Sequence, residues 1–375
     1  MPKVKDVFGL HIWPPENEIG LEIEMEGEGL FDHKCSGWSN DMDGSLRGHG
    51  VEFILNGPLS EEGAYKKLDS LYKMLKKHTK ITPSDRCGVH IHINCQHMEI
   101  EQVFNYITLY LILEDLILSW CGEDREGNLF CLRARDAEWL VYSLIDDKKN
   151  SGIFNIVTNR NTFKYGTINV AAIRYYGSLE FRSLRTPKTS QLIKDYISLL
   201  LRIKSKALEV KDASEFISDC SAKGEIEWAK KILGPHFDML KNKNMNEKIM
   251  EGVRRIQTLA YTPLKKIKDV PKRKRQIQRE DGELVRVNVA PGGINLNRNL
   301  PNYFDEPIRE APIDEAERPA DVAEEAPQPE DLAPRRRIQR QPPVLNAQRM
   351  EEVERMRELQ RRAVYYIPPD GEPRE

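Results

Sequence analysis

The chain has 375 residues, 39% hydrophobic and 31% charged, with a mean hydropathy of −0.59, so it can bury one large core while part of it stays outside any core. A formal net charge of −2 gives no general electrostatic case for nucleic-acid binding. The start, MPKVKDVFGLHIW, lacks the basic, apolar and small-residue succession of an export signal, and Cys35, Cys87, Cys95, Cys121, Cys131 and Cys220 suit buried thiols; both set the expectation of a cytoplasmic protein.

In chain order, LEIEME at 21–26 alternates apolar and acidic residues and predicts a strand, and VEFIL at 51–55 predicts a second. Ser60 is placed to cap a helix over 61–78 whose stripe is Ala64, Leu68, Leu71, Tyr72 and Leu75. CGVHIHINC at 87–95 follows, then the most apolar segment, 103–120. Glu114 and Asp115 interrupt that segment, which predicts a core helix instead of a membrane span. A helix over 137–145, strands over 166–173 and 178–184, and helices from 190 to 264 complete the folded part.

Composition changes near residue 270. The expected organisation is a catalytic sheet domain over 1–190, a helical extension of it over 191–269, a disordered, charged, Pro-rich linker over 270–345 and a helical or flexible tail over 346–375. In that tail Met350, Val353, Met356 and Leu359 form a stripe suited to docking on a partner protein or on the chain's own body, and a solvated helix fits equally well. The basic runs at 272–275 and 335–337 read as solvated linker.

The spacing C-x2-H-x-H-x2-C in CGVHIHINC raises the question of a zinc site. Val89, Ile91 and Ile93 favour an extended backbone, and in a strand successive side chains alternate faces. Cys87 and Cys95 then fall with the apolar residues, against the helices, and His90 and His92 fall on the other side. A four-ligand zinc knuckle is not expected.

The other strands repeat the division. Leu21, Ile23 and Met25 oppose Glu22, Glu24 and Glu26, while Leu179 and Phe181 oppose Glu180 and Arg182. Any one such strand is also what a solvent-facing antiparallel sheet would show. Together they put carboxylates, imidazoles and arginines on one surface, where they would repel or neutralise one another without ligands between them. Carboxylate oxygens suit Mg2+ or Mn2+, and arginines suit phosphate. No GxxxxGK[ST] loop is present, so a P-loop is not the means of nucleotide binding.

The ordered series GLEIEME (20–26), DGSLRGHGVEFILNGPL (43–59), CGVHIHIN (87–94), REGNLFC (125–131), NRNTFKYGTIN (159–169) and GSLEFRSLRT (177–186) resembles the amidoligase family of the glutamine synthetase-like carboxylate-amine ligases. The resemblance covers about 18–190. It implies an α+β fold: a curved antiparallel sheet with ATP and two or three Mg2+ ions on its concave face and helices on its convex face. By position, Glu22, Glu24, Glu52, His90 and Glu180 would be metal ligands, with His92 approaching the transferred phosphate or the substrate carboxylate. Arg182 and Arg160 would hold phosphates. Lys164, Asn169, Asp43 and Arg125 are further marked positions, Lys164 and Asn169 on the nucleotide side, and the Asp43–Ser45 element also reads as one that shapes a turn.

The implied reaction uses ATP to phosphorylate a substrate carboxylate, and an amine then attacks the acyl phosphate to give an amide, ADP and phosphate. The alternatives are phosphotransfer that stops at a stable phosphorylated product, as in phosphagen kinases, metal-dependent hydrolysis, and a non-catalytic module that recruits a partner. The substrates implied are small-molecule, peptide or protein carboxylates and amines.

Overall fold

The computed structural model describes residues 2–266 except 43–45, 48–49, 78–80, 83, 123–124, 126–127, 129–130, 154–162 and 164, together with strands at 273–278 and 284–289. Seven strands form one open antiparallel sheet: β1 (Ile19–Gly27), β2 (Trp38–Asp41), β3 (Gly50–Leu55), β4 (Ile81–Thr82), β5 (Gly88–Asn94), β6 (Ile168–Asn169) and β7 (Ser178–Arg185). Their order is β2-β3-β1-β5-β7-β6, with β4 also paired to β1. The helices are α1 (Val4–Phe8), α2 (Glu61–Leu75), α3 (Ile100–Cys121), α4 (Glu138–Asn150), α5 (Ala172–Tyr176), α6 (Ser190–Glu209), α7 (Ser214–Lys223), α8 (Glu225–Leu233), α9 (Phe237–Leu240) and α10 (Met245–Tyr261). The α+β class expected from the sequence is the one observed.

Period-two patterning decides which sheet face is covered. Ile19, Leu21, Ile23, Val51, Phe53, Val89, Ile91, Ile93, Leu179 and Phe181 are buried in one continuous core with α2, α3 and α6. The ring of Tyr110 on α3 lies 4.8 Å from that of Phe181, and its hydroxyl pairs with Ser183 at 2.7 Å. Among the described residues α3 is long and apolar enough to cross a membrane, but its apolar window is 89% buried inside the fold. Glu114 on this helix is satisfied there, accepting from the Ala134 amide at 2.9 Å and from the Thr167 hydroxyl. Asp115 pairs with Arg255 of α10 at 3.3 Å.

Ser60 caps α2 as expected, accepting from the Gly63 amide at 3.3 Å. The strand expected over 166–173 is only partly formed. Asn169 Oδ1 accepts from the Ala171 amide at 3.1 Å, an Asx turn that ends β6 and starts α5, so 172–176 are helical. Within the stretch read as linker, Arg273–Gln278 and Leu284–Val289 pair as an antiparallel hairpin, Arg275 opposite Val287. The tail stripe at 350–359 lies outside the described residues.

Candidate metal and phosphate site

Antiparallel register brings the polar residues of five strands side by side. Glu24 stands opposite Glu52 across β1 and β3, Glu22 opposite His90 across β1 and β5, His92 opposite Glu180 across β5 and β7, and Asn169 opposite Glu180 across β6 and β7. Gly20 occupies the β1 position opposite His92, where a Cβ would come within 3.2 Å of the histidine's own Cβ. A small residue there leaves room for the ring.

His90 sits at the centre, buried. Its Nδ1 lies 2.9 Å from Glu22 Oε2, 3.8 Å from Glu180 Oε1 and 4.0 Å from Glu52 Oε1, and its Nε2 lies 3.5 Å from Glu24 Oε1. Glu24 is oriented by the Gly88 amide, which donates to Oε2 at 2.7 Å. Thr186 braces the same place, donating to the carbonyls of Glu24 at 2.8 Å and Gly88 at 2.9 Å. Gly88 is needed there, since a Cβ would meet Arg125 Nη2 at 3.1 Å and Glu24 Oε2 at 3.2 Å.

His92 Nε2 lies 3.3 Å from Glu22 Oε1, Nδ1 pairs with Ser178 Oγ at 3.1 Å, and the ring meets the edge of Tyr176 at 5.5 Å between centroids. Arg182 forms an ion pair with Glu180, its Nη1 lies 3.5 Å from His90 Nδ1, and its buried Nε has no hydrogen-bond partner among the described residues. Asn169 donates to Glu180 Oε2 at 2.7 Å. It therefore orients a carboxylate of the cluster.

Charge interactions decide the protonation states. Burial opposes ionisation of Glu22, but hydrogen bonds and attraction from His90 and His92 outweigh it and hold the carboxyl well below its ordinary range. Burial likewise opposes ionisation of Glu180, and Arg182 followed by the two histidines holds it low. His92 is raised despite its burial because Glu22 and Glu180 favour the imidazolium. An imidazole drawn toward its charged form by two carboxylates marks a place where positive charge is stabilised, and the same place suits a cation.

Two groups have donor atoms converging within 4.8 Å: Glu22, Glu52 and His90, and Glu22, Glu180 and His92. They share Glu22. The donor set, mostly carboxylate oxygen with imidazole nitrogen, fits Mg2+ or Mn2+. Among the described residues no cysteine joins either group. Burial pushes the Cys95 thiol up to about 11, within the core. Cys87 departs from its expected place against the helices: it precedes β5, escapes the strand's alternation and lies near Ser84, Glu24 and Glu26. Burial, then the Glu26 and Glu24 carboxylates, push its thiol up to about 12.

Of the residues proposed from the sequence, Glu22, Glu24, Glu52, His90, His92, Asn169, Glu180 and Arg182 come together on one sheet face. Arg160, Lys164, Asp43 and Ser45 lie outside the described residues. Arg125 is buried against β7, where it donates to backbone carbonyls and its Nη2 borders Gly88. Sequence reasoning missed Gly88, Ser178 and Thr186, which orient the cluster. The glycine opening a strand of β-branched residues and histidines was the available signal.

Residues 54–203 match a family model whose description reads "Putative amidoligase enzyme". The matched span begins just after Glu52 and contains His90, His92, Glu180 and Arg182. A search of curated proteins finds no match.

Proposed function

We propose that this chain, with the amidoligase family match as premise, is an ATP- and Mg2+-dependent carboxylate-amine ligase that makes an amide through an acyl phosphate and releases ADP and phosphate. The observation that carries the reading is the cluster of Glu22, Glu24, Glu52 and Glu180 around His90, with two ligand groups sharing Glu22 and Arg182 alongside. Four carboxylates in contact with one buried imidazole exceed what the described arginine neutralises, and divalent cations with an anionic ligand complete the balance.

Glu22, Glu52 and His90 would hold one Mg2+ and Glu22, Glu180 and His92 another, with Mn2+ able to substitute; Glu24, fixed by Gly88, completes the oxygen-rich wall. Bound cations would neutralise the nucleotide's phosphates during transfer. Arg182, whose Nε has no hydrogen-bond partner among the described residues, stabilises charge on the transferring phosphoryl group, and Arg160 and Lys164 are assigned to the same task. His92 has one nitrogen fixed by Ser178 and the other turned to the carboxylates, so it serves the second cation or the substrate carboxylate beside it. A cytoplasmic protein acting on small-molecule, peptide or protein carboxylates and amines, with the tail recruiting a partner, is part of the same proposal.

The test is a screen of carboxylate and amine pairs for ADP release, with mass spectrometry of the products. We expect amine-dependent ADP formation and an amide, reduced by about 100-fold or more in Glu24→Gln and Arg182→Ala at unchanged fold. Full turnover in either variant defeats the residue assignment. A stable phosphorylated product without an amide defeats the ligase reading in favour of phosphotransfer.

A further inference from the structure

We propose that Arg125, whose guanidinium is tied to the backbone of β7, is a positioning residue that aims Arg182 at the phosphate site. The inference rests on the ligase reading above and goes beyond it by assigning a control on nucleotide binding to a residue that holds the β7 backbone. Val89 pairs with Leu184 and Ile91 with Phe181, so Arg182 and Ser183 together stand opposite His90, a β-bulge in β7. A bulge frees carbonyls from the ladder, and a buried carbonyl needs another donor.

Arg125 supplies it. Its Nη2 donates to the Arg182 carbonyl at 2.7 Å and lies 3.4 Å from that of Leu184, and its Nε donates to the Ser183 carbonyl at 3.0 Å. On the other side, the Arg182 amide donates to the Thr167 carbonyl at 2.9 Å. The backbone of Arg182 is thus held at both its N–H and its C=O, while Ser183 turns inward to Tyr110 and the Arg182 side chain turns outward to Glu180 and His90. Arg125 is itself almost fully buried. Only a planar, multi-donor guanidinium spans three successive carbonyls; an ammonium of equal charge cannot.

Glu180, His92, Glu22 and Glu52 keep their register without the bulge clamp, because Glu180 pairs directly with His92 before it. Loss of Arg125 should therefore separate two affinities that a general loss of structure would lower together. The experiment is calorimetric titration of the full-length protein with Mn2+ alone and with Mg·ATP, in native protein and Arg125→Lys. We expect Mg·ATP affinity to fall about 10-fold while Mn2+ affinity stays within about twofold, at a similar melting temperature. Native-like Mg·ATP affinity in the variant overturns the proposal, as does a parallel fall of both affinities. If Arg125→Lys does not fold, Arg125→Gln is titrated in the same way, and failure of both to fold makes Arg125 a folding residue and withdraws the role. The native protein reports separately on the premise: no Mg·ATP binding by it removes the ligase reading and this proposal with it.

Discussion

At the scale of single residues, the cluster depends on small groups as much as on its ligands. Gly88 brings its amide to Glu24, and an added Cβ would press on both Glu24 Oε2 and Arg125 Nη2 at 3.2 and 3.1 Å. Gly88→Ala should lower Mn2+ affinity about 10-fold, read by titration, with little change in melting temperature. By contrast, replacing Cys87 and Cys95 together with Ser and Ala should cost stability and leave ADP formation largely intact, because neither thiol joins a ligand group. A tightly bound zinc lost in that double variant would contradict the strand reading. The division of CGVHIHINC into two faces was legible because Val89, Ile91 and Ile93 are β-branched. The place of Cys87 was not legible, because period-two logic stops where the strand starts, at Gly88.

Elements add a second kind of control. Gly252 lets α10 approach α3 so closely that a Cβ would lie 2.3 Å from the Ile112 carbonyl oxygen. Because the obstacle is backbone, Gly252→Ala should destabilise the fold by about 2–4 kcal/mol, measured by denaturant unfolding. Along α3, Glu114 is wholly buried; desolvation pushes its carboxyl up to about 7, partly offset by Thr167 and the Ala134 amide, with Asp115 raising it further and Arg255 lowering it. The folded state therefore keeps a proton that the unfolded chain, titrating near the ordinary glutamate value of about 4.3, has already released. This group's stabilisation is present in full below that value and declines as pH rises toward about 7, by roughly 3 kcal/mol, then levels off. Glu114→Gln should flatten the unfolding free energy between about pH 4.5 and 7; an unchanged slope would assign the pH dependence elsewhere. From the sequence, Glu114 and Asp115 argued correctly against a membrane span, yet their partners Thr167 and Arg255 come from distant segments that no local pattern connects. The short β6 was equally hidden, since the Asx turn at Asn169 overrides the β propensity of the residues after it.

At the scale of the whole molecule, one antiparallel sheet separates two kinds of chemistry, with helices and apolar side chains on one face and Glu, His and Arg on the other. That division could be read strand by strand from alternation, but the order β2-β3-β1-β5-β7-β6, which brings Glu52, Glu22, His90 and Glu180 around one point, could not. Nor could the bulge that turns both Ser183 inward and Arg182 outward. On the function proposed above, this polar face binds ATP through divalent cations. Calorimetric titration of the native full-length protein with ATP, with and without Mg2+, tests it most directly. Binding is expected to require Mg2+ and to be lost in Glu22→Ala, the variant that removes the ligand shared by both metal groups. ATP binding that is absent, or that persists without Mg2+ or without Glu22, would contradict it.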